Sequence, residues 1–309
     1  MAHHEFAPEV YHTAIGSHEP VLEIADGDAV STTTVDARGG DSNGEAVTAR
    51  GNPQTGPFFI EGAEPGDTLA VTFDRLTPNR KTGFTGGSIA SNVLDFGYVP
   101  RFEEKVEKIE WEINLERGVA RPLGVSSPLS DLRLPLRPML GCFGVAPPAR
   151  QAISTATSST HGGNMDYRGF VEGVTIYLPV AVAGALFHLG DGHALQGDGE
   201  IVGTGIETSF NVTFSVRLLK GKTIAWPRAE NDTHVMTVGN ARPLDQCVQH
   251  ATTEMVRWLQ EDFGLDTLTV HALMGQAVEY DIGNVFDPAY TMVCKMSKAT
   301  LEAMGAKRQ

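Results

Sequence analysis

The sequence predicts a mainly β fold, a sandwich or barrel with an α+β C-terminal part, and three observations carry that prediction. Strand-like alternation recurs along the first two thirds, turn residues separate the alternating runs, and the hydrophobic period becomes helical only after about residue 245.

The clearest strand is Ile206 to Leu219. Ile206, Phe210, Val212, Phe214, Val216 and Leu218 fall on one face, and Glu207, Ser209, Asn211, Thr213, Ser215 and Arg217 on the other. Shorter alternations at 21–24, 69–73 and 109–115 are bounded by Asp26-Gly27, Glu64-Pro65-Gly66-Asp67 and Arg117-Gly118. Strands that follow one another without helices favour a sandwich or barrel over a βαβ fold. After Asp245, Val248, Ala251, Met255 and Leu259 make one helical face, and Asp266 or Thr267 caps a second helix through Ala277. A strand from Tyr290 to Met296 then precedes a terminal helix from about Ser297 to Met304. Two regions result, a β-rich one over 1–220 and an α+β one over 221–309 packed on it. Between Arg75 and Pro100, Pro78, Asn79 and Gly83-Phe84-Thr85-Gly86-Gly87-Ser88 mark a loop-rich insertion that either covers an active site or wanders on the surface.

Composition narrows the function classes. A chain of 309 residues buries a large core without staples. Its net charge of −14 repels nucleic-acid phosphates and anionic membranes, so the expected partner is neither. Three cysteines, 142, 247 and 294, show no C-x-x-C spacing and fit a reducing cytoplasm. The longest apolar stretch, Val174 to Leu189, is broken by Pro179, Gly184 and His188, and no charged leader with an apolar core opens the chain. A soluble, cytoplasmic protein is the expectation.

The chemistry-bearing residues concentrate in two glycine-rich loops. Gly190-Asp191-Gly192-His193-Ala194-Leu195-Gln196-Gly197-Asp198-Gly199-Glu200 packs three carboxylates, an imidazole and a carboxamide between glycines. His161-Gly162-Gly163-Asn164-Met165-Asp166 repeats the theme. Glycines give the backbone turns through which such side chains converge on one point. Asp166, Asp191, His193 and Asp198 are ligand types for a divalent metal; a mixed Asp/His set suits zinc and an oxygen-rich set suits calcium. Taken alone, Asp191 or Asp198 before glycine reads as a turn residue, and the spacing does not match an EF-hand.

These loops stand in order with other segments: Asn52-Pro53-Gln54-Thr55-Gly56-Pro57, Glu61-Gly62-Ala63-Glu64-Pro65-Gly66-Asp67, Gly141-Cys142-Phe143-Gly144-Val145-Ala146-Pro147, and Gly173 to Val180 with Gly184-Ala185-Leu186-Phe187. The ordered set resembles the acetamidase/formamidase family over most of the chain. The resemblance implies hydrolysis of short aliphatic amides to a carboxylate and ammonia, a largely β architecture, a bound divalent metal (zinc, calcium or both) and a homodimer or higher homo-oligomer. It also adds Asp36, in Thr34-Val35-Asp36-Ala37, to the candidate ligands.

Amide hydrolysis needs an activated water or nucleophile, a polarised carbonyl and a proton for the departing amine. Glu200, closing the loop, and Glu207, on the polar face of the next strand, are the candidates for proton transfer. Asn164 and Gln196 either donate to an oxyanion, ligate through oxygen or serve as loop glue. His161 departs from the residue expected before Gly-Gly-Asn-Met-Asp; it is an added ligand, a substrate-side group or a hydrogen-bonded loop histidine. Serine chemistry is disfavoured because Gly-x-Ser-x-Gly is missing and Gly86-Gly87-Ser88 matches a serine–lysine amidase only faintly. Cys142 and Cys294 sit in apolar contexts that read as core. Two other readings stand beside the amidase: a hydrolase of another small or cyclic amide, and a metal-binding member of the fold without turnover.

Overall fold

The computed structural model describes residues 1–99, 108–126 and 128–308, so Pro100 and Gln309, the far ends of the predicted insertion and second region, lie outside the described residues. Two large sheets dominate. A nine-stranded sheet runs in the order His3–Glu5, Ala29–Thr34, Phe210–Leu219, Thr68–Pro78, Thr175–Pro179, Arg228–Glu230, His234–Ala241, Tyr290–Ser297, Glu279–Asn284. An eleven-stranded sheet has the antiparallel strands Glu207–Thr208, Phe187–His193, Met139–Gly144 and Gly162–Asn164 side by side in that order. The fold is mainly β, as the alternation predicts.

One core fills the space between the sheets. Val71, Phe73, Ile176, Phe214 and Val238 come from the first, and Phe58, Leu140, Phe187 and Leu189 from the second. Phe214 receives Phe58 and Phe187 edge-on at 5.1 and 5.4 Å between centroids, the arrangement that ring quadrupoles favour. Each such side chain removed from water contributes roughly 1.5–3 kcal/mol. The helices Leu244–Glu261 and Thr267–Ala277 cover the opposite face of the nine-stranded sheet, where Ala251, Met255, Trp258 and Leu259 pack with Ala70, Val235, Cys294 and Met296. Alternation along one strand serves both cores, with Val71 facing one and Ala70 the other. Asp266 caps the second helix, its carboxylate accepting from the Thr269 N–H at 3.0 Å. Residues beyond 220 extend the same sheet, since Thr175–Pro179 pairs with Arg228–Glu230. Among the described residues no helix is long and apolar enough to cross a membrane.

One predicted element divides in two. The run Ile206 to Leu219 is not a single strand: Glu207–Thr208 pairs within the eleven-stranded sheet, and Phe210–Leu219 within the nine-stranded one. The period-two pattern continues across this change of sheet. Glu207, on the polar face by alternation, is therefore buried at 2% exposure.

A histidine cluster lies under one edge of the strand Phe187–His193. His12 and His18 stack at 3.9 Å, and both meet His188 edge-on. His188 is fully buried; its Nδ1–H donates to the Leu186 carbonyl at 3.0 Å, and its Nε2 has no partner among the described residues. Burial above all, reinforced by His18 and His12, holds its pKa down at about 3. The unfolded chain takes up that proton near 6.5, so between those values the unfolded state binds more protons and stability from this group falls as pH falls. His188→Gln removes the effect. The stability of the wild type relative to the variant, measured by denaturant unfolding between pH 6 and 4, is expected to fall by about 1.4 kcal/mol per pH unit. A difference that does not change with pH would show that His188 is not held neutral.

Candidate active site

The polar centre is built where the middle strands of the eleven-stranded sheet meet the end of Glu279–Asn284. His193 pairs across strands with Glu207, and Met139–Gly144 runs on the other side of the Asp191-Gly192-His193 segment. Asp166 follows the strand Gly162–Asn164, and Glu200 sits in a turn in which the Gly203 N–H donates to the Glu200 carbonyl at 2.7 Å. Asp166, Asp191 and Glu200 have φ of 42°, 61° and 46°. Left-handed backbone at residues with a Cβ costs about 1–2 kcal/mol each, and here it accompanies three carboxylates aimed at one place.

The resulting cluster is dense. Asp166, Asp191 and His193 form one set of ligand atoms within 4.8 Å of one another, His193, Glu200 and Glu207 a second, and Asp166, Glu200 and Asp287 a third. Gly141 and Gly205 permit this approach: a Cβ on Gly141 would lie 2.2 Å from Asp166 Oδ1, and one on Gly205 2.6 Å from the His193 ring. Asn284, buried at the strand end, has its Nδ2 at 2.8 Å from Asp166 Oδ2, 2.9 Å from Glu200 Oε2 and 2.8 Å from Asp287 Oδ2. An amide nitrogen carries two hydrogens, so three carboxylates share two donors.

Gln196 fixes the histidine. Its Nε2 donates to the Asp166 carbonyl, so its Oε1 accepts from His193 Nδ1–H at 2.8 Å. The bare or protonated Nε2 of His193 then faces Glu207 Oε1 at 2.8 Å and Asp191 Oδ1 at 3.4 Å. Burial opposes a charge on His193, and the Glu207 and Asp191 carboxylates more than offset it, leaving the pKa well above the usual histidine value. Burial, followed by the neighbouring carboxylates Glu200 and Asp191, lifts Asp166 well above the usual carboxylate range. Burial also lifts Glu200, against the pull of His193, and pushes Glu207 up to about 7.

Among the expected ligands, Asp166, Asp191 and His193 therefore come together with Glu200 and Glu207. Asp36 and Asp198 do not join them. Asp36 is held by Arg80 at 2.8 Å and by the N–H groups of Arg38 and Gly40, a loop-anchoring role. Asp198 is half-exposed and paired with Arg168 at 2.6 Å, because its glycine-flanked turn projects to solvent. Asn164 reaches the centre indirectly, donating to Asp287 Oδ2 at 2.5 Å while Asn52 Nδ2 donates to its Oδ1 at 2.8 Å. His161 belongs to none of the three sets. It is buried without a ring partner among the described residues, and burial lowers its pKa to about 4.

Two members escaped the sequence reading, Asn284 and Asp287. The signal was present: Gly283-Asn284-Val285-Phe286-Asp287-Pro288 has the glycine-flanked Asn/Asp character of the other loops, but it closes a helical region distant in sequence. The insertion packs onto the same place. Gly86 N–H donates to Thr204 Oγ1 at 2.6 Å, Ala90 N–H to the Ile201 carbonyl at 2.7 Å, and Asn92 Nδ2 to the Val285 carbonyl at 2.8 Å.

A family model described as the acetamidase/formamidase family matches residues 8–151 and 148–296. The chain belongs to this family. An acetamidase of Mycolicibacterium smegmatis is 29% identical over 216 residues, which are 54% of this chain and 53% of that protein. The match thus spans about half the length of that curated relative. Solved structures align over nearly the whole chain. A recombinant predicted acetamidase/formamidase from Thermoanaerobacter tengcongensis superposes with a TM-score of 0.84 at 29% identity, covering 99% of both chains. An acetamidase from Yersinia enterocolitica gives 0.82 at 31%, covering 97% of this chain and 93% of that one. The family members share the two-sheet architecture that brings these loops together.

Proposed function

We propose that the protein is a metal-dependent amidohydrolase that cleaves a small aliphatic carboxamide to a carboxylate and ammonia. The observation that carries this reading is the convergence of Asp166, Asp191, Glu200, Glu207 and Asp287 around one imidazole. So many buried carboxylates repel one another, and Asp166 Oδ1, Glu207 Oε2 and His193 Nε2 have no hydrogen-bond partner among the described residues. A divalent cation fits this donor set. Asp166, Asp191 and His193 would hold it, with Glu200, Glu207 and Asp287 as further oxygen donors, and the one nitrogen among oxygens suits zinc or calcium chemistry. When bound, such an ion supplies Lewis acidity at the carbonyl and activates water at neutral pH.

The chain's own residues supply the rest. Gln196 locks the His193 tautomer, the outer-shell contact that orients a ligand. Glu207 or Glu200 moves the proton, since burial brings both carboxyls toward neutral pH, the range in which a group serves as acid and base. Asn284 and Asn164 keep the carboxylates apart and in place. A reducing cytoplasm and a homodimer or higher oligomer belong to the same proposal. The cysteines offer no competing nucleophile: all three are buried, and burial raises the thiol pKa to about 11 at Cys247 and about 12 at Cys294.

Ammonia release from formamide, acetamide and propionamide, with and without chelator, tests the reading together with elemental analysis of wild type and of Asp166→Ala and His193→Ala. The expected result is release that chelator abolishes and metal content that both variants lose, with earlier melting. Release unaffected by chelator with unchanged metal in both variants would remove the metal from the mechanism; no release from any amide would leave a metal-binding protein.

A further inference from the structure

The acid cluster has an inner side and an open side, and they differ in chemistry. Inward there is no room: the contacts of Gly141 and Gly205 show backbone packed against Asp166, Asp191 and His193. Outward, the donors' immediate neighbours in sequence are apolar and partly exposed. Ile201 follows Glu200 and Phe286 precedes Asp287, at 38% and 41% exposure, with Ile282 at 38% beside them. The main chain fixes these residues. Gly199 N–H donates to the Ile282 carbonyl at 3.2 Å and Val285 N–H to the Gly199 carbonyl at 2.9 Å, while Asn284 Oδ1 accepts from Phe286 N–H at 2.8 Å. The Phe286 ring lies on the Glu200 turn, within 2.4 Å of where a Gly203 Cβ would be.

We infer that Phe286, with Ile201, is the wall that limits the acyl chain of the substrate. The inference rests on the amidase reading and names its specificity element. An amide whose carbonyl reaches the cluster has its acyl substituent on the open side, because the inner side is filled. There the substituent meets a ring that cannot retreat: Gly203 and the turn lie beneath it, and its backbone is tied to Asn284. Formamide, with no acyl carbon, makes no demand on this wall, and each added methylene makes more. Shortening the side chain opens the space.

The test is kcat/KM for formamide, acetamide, propionamide and butyramide in wild type, Phe286→Ala, Phe286→Leu and Ile201→Ala, with Leu268→Ala as a distant exposed control. Phe286→Ala is expected to raise the butyramide to formamide ratio by about tenfold or more, the scale on which a pocket discriminates methylenes. Phe286→Leu should fall between it and wild type, Ile201→Ala should move the ratio the same way, and Leu268→Ala should not move it. Generalised loosening would lower all four substrates together and leave the ratio where it was. An active wild type whose ratio stays unchanged in folded Phe286→Leu and Ile201→Ala overturns the inference alone; a wild type inactive on all four amides overturns the amidase reading and the inference with it.

Discussion

Glu200→Gln is expected to lower turnover of a small amide by roughly two to four orders of magnitude, the usual scale of general acid–base catalysis. Metal content should stay at the wild-type level. Glu200 is the cluster carboxylate next to the open side, where a leaving amine must be protonated, and its turn is held by Gly197 and Gly203 main chain. Glutamine keeps the size and can still accept from Asn284 Nδ2 through its Oε1, so the geometry survives while the titrating proton is lost. Glu207→Gln makes a useful contrast. Its Oε1 lies 2.8 Å from His193 Nε2, so that change is expected to act first on metal retention and the His193 position. The readouts are single-substrate kcat, its pH profile and elemental analysis on one preparation. A Glu200→Gln protein with wild-type kcat and profile would move the proton shuttle to Glu207.

Much of this site is legible in the sequence because loop chemistry is local. Glycines flanking Asp, His and Asn announce left-handed turns, and φ at Asp166, Asp191 and Glu200 is positive. Convergence of the two glycine-rich loops follows from strands that are neighbours in one sheet: Met139–Gly144 pairs with both Gly162–Asn164 and Phe187–His193. The parts that stay hidden depend on long-range packing. Asp198 and Asp191 look alike in sequence, each followed by glycine, and only the tertiary fold sends one to Arg168 and the other into the core. Asp36 carries the right residue type but its charge is taken by Arg80, which no local pattern announces. Glu207 alternates like a solvent-facing residue because the chain changes sheets without breaking the period. Asn284 and Asp287 join from the edge of the other sheet, a pairing set by the packing of two layers.

Gly141→Ala is expected to abolish metal retention and to reduce amide turnover at least about a hundredfold, the cost of displacing a catalytic group by around 1 Å. The added Cβ would lie 2.2 Å from Asp166 Oδ1, 2.7 Å from Asp191 Oδ2 and 3.2 Å from His193 Cε1. The strand cannot yield. Met139–Gly144 is buried throughout and paired on both edges, and the Gly141 carbonyl accepts from Met165 and Asp166 N–H groups at 3.1 Å each. Movement therefore falls on the carboxylates, and Asp166 must swing from Asn284 Nδ2, now 2.8 Å away. Overpacking of this kind costs roughly 1–3 kcal/mol of stability, so the variant should remain folded at room temperature while its donor set is dispersed. Gly197→Ala is the matched control. It belongs to the same glycine-rich run, its φ is not positive and nothing lies within 4 Å of its Cβ position, so its metal content and turnover should match wild type. A Gly141→Ala protein with metal and activity intact would mean that the close approach of Asp166 to Asp191 is not what holds the ion.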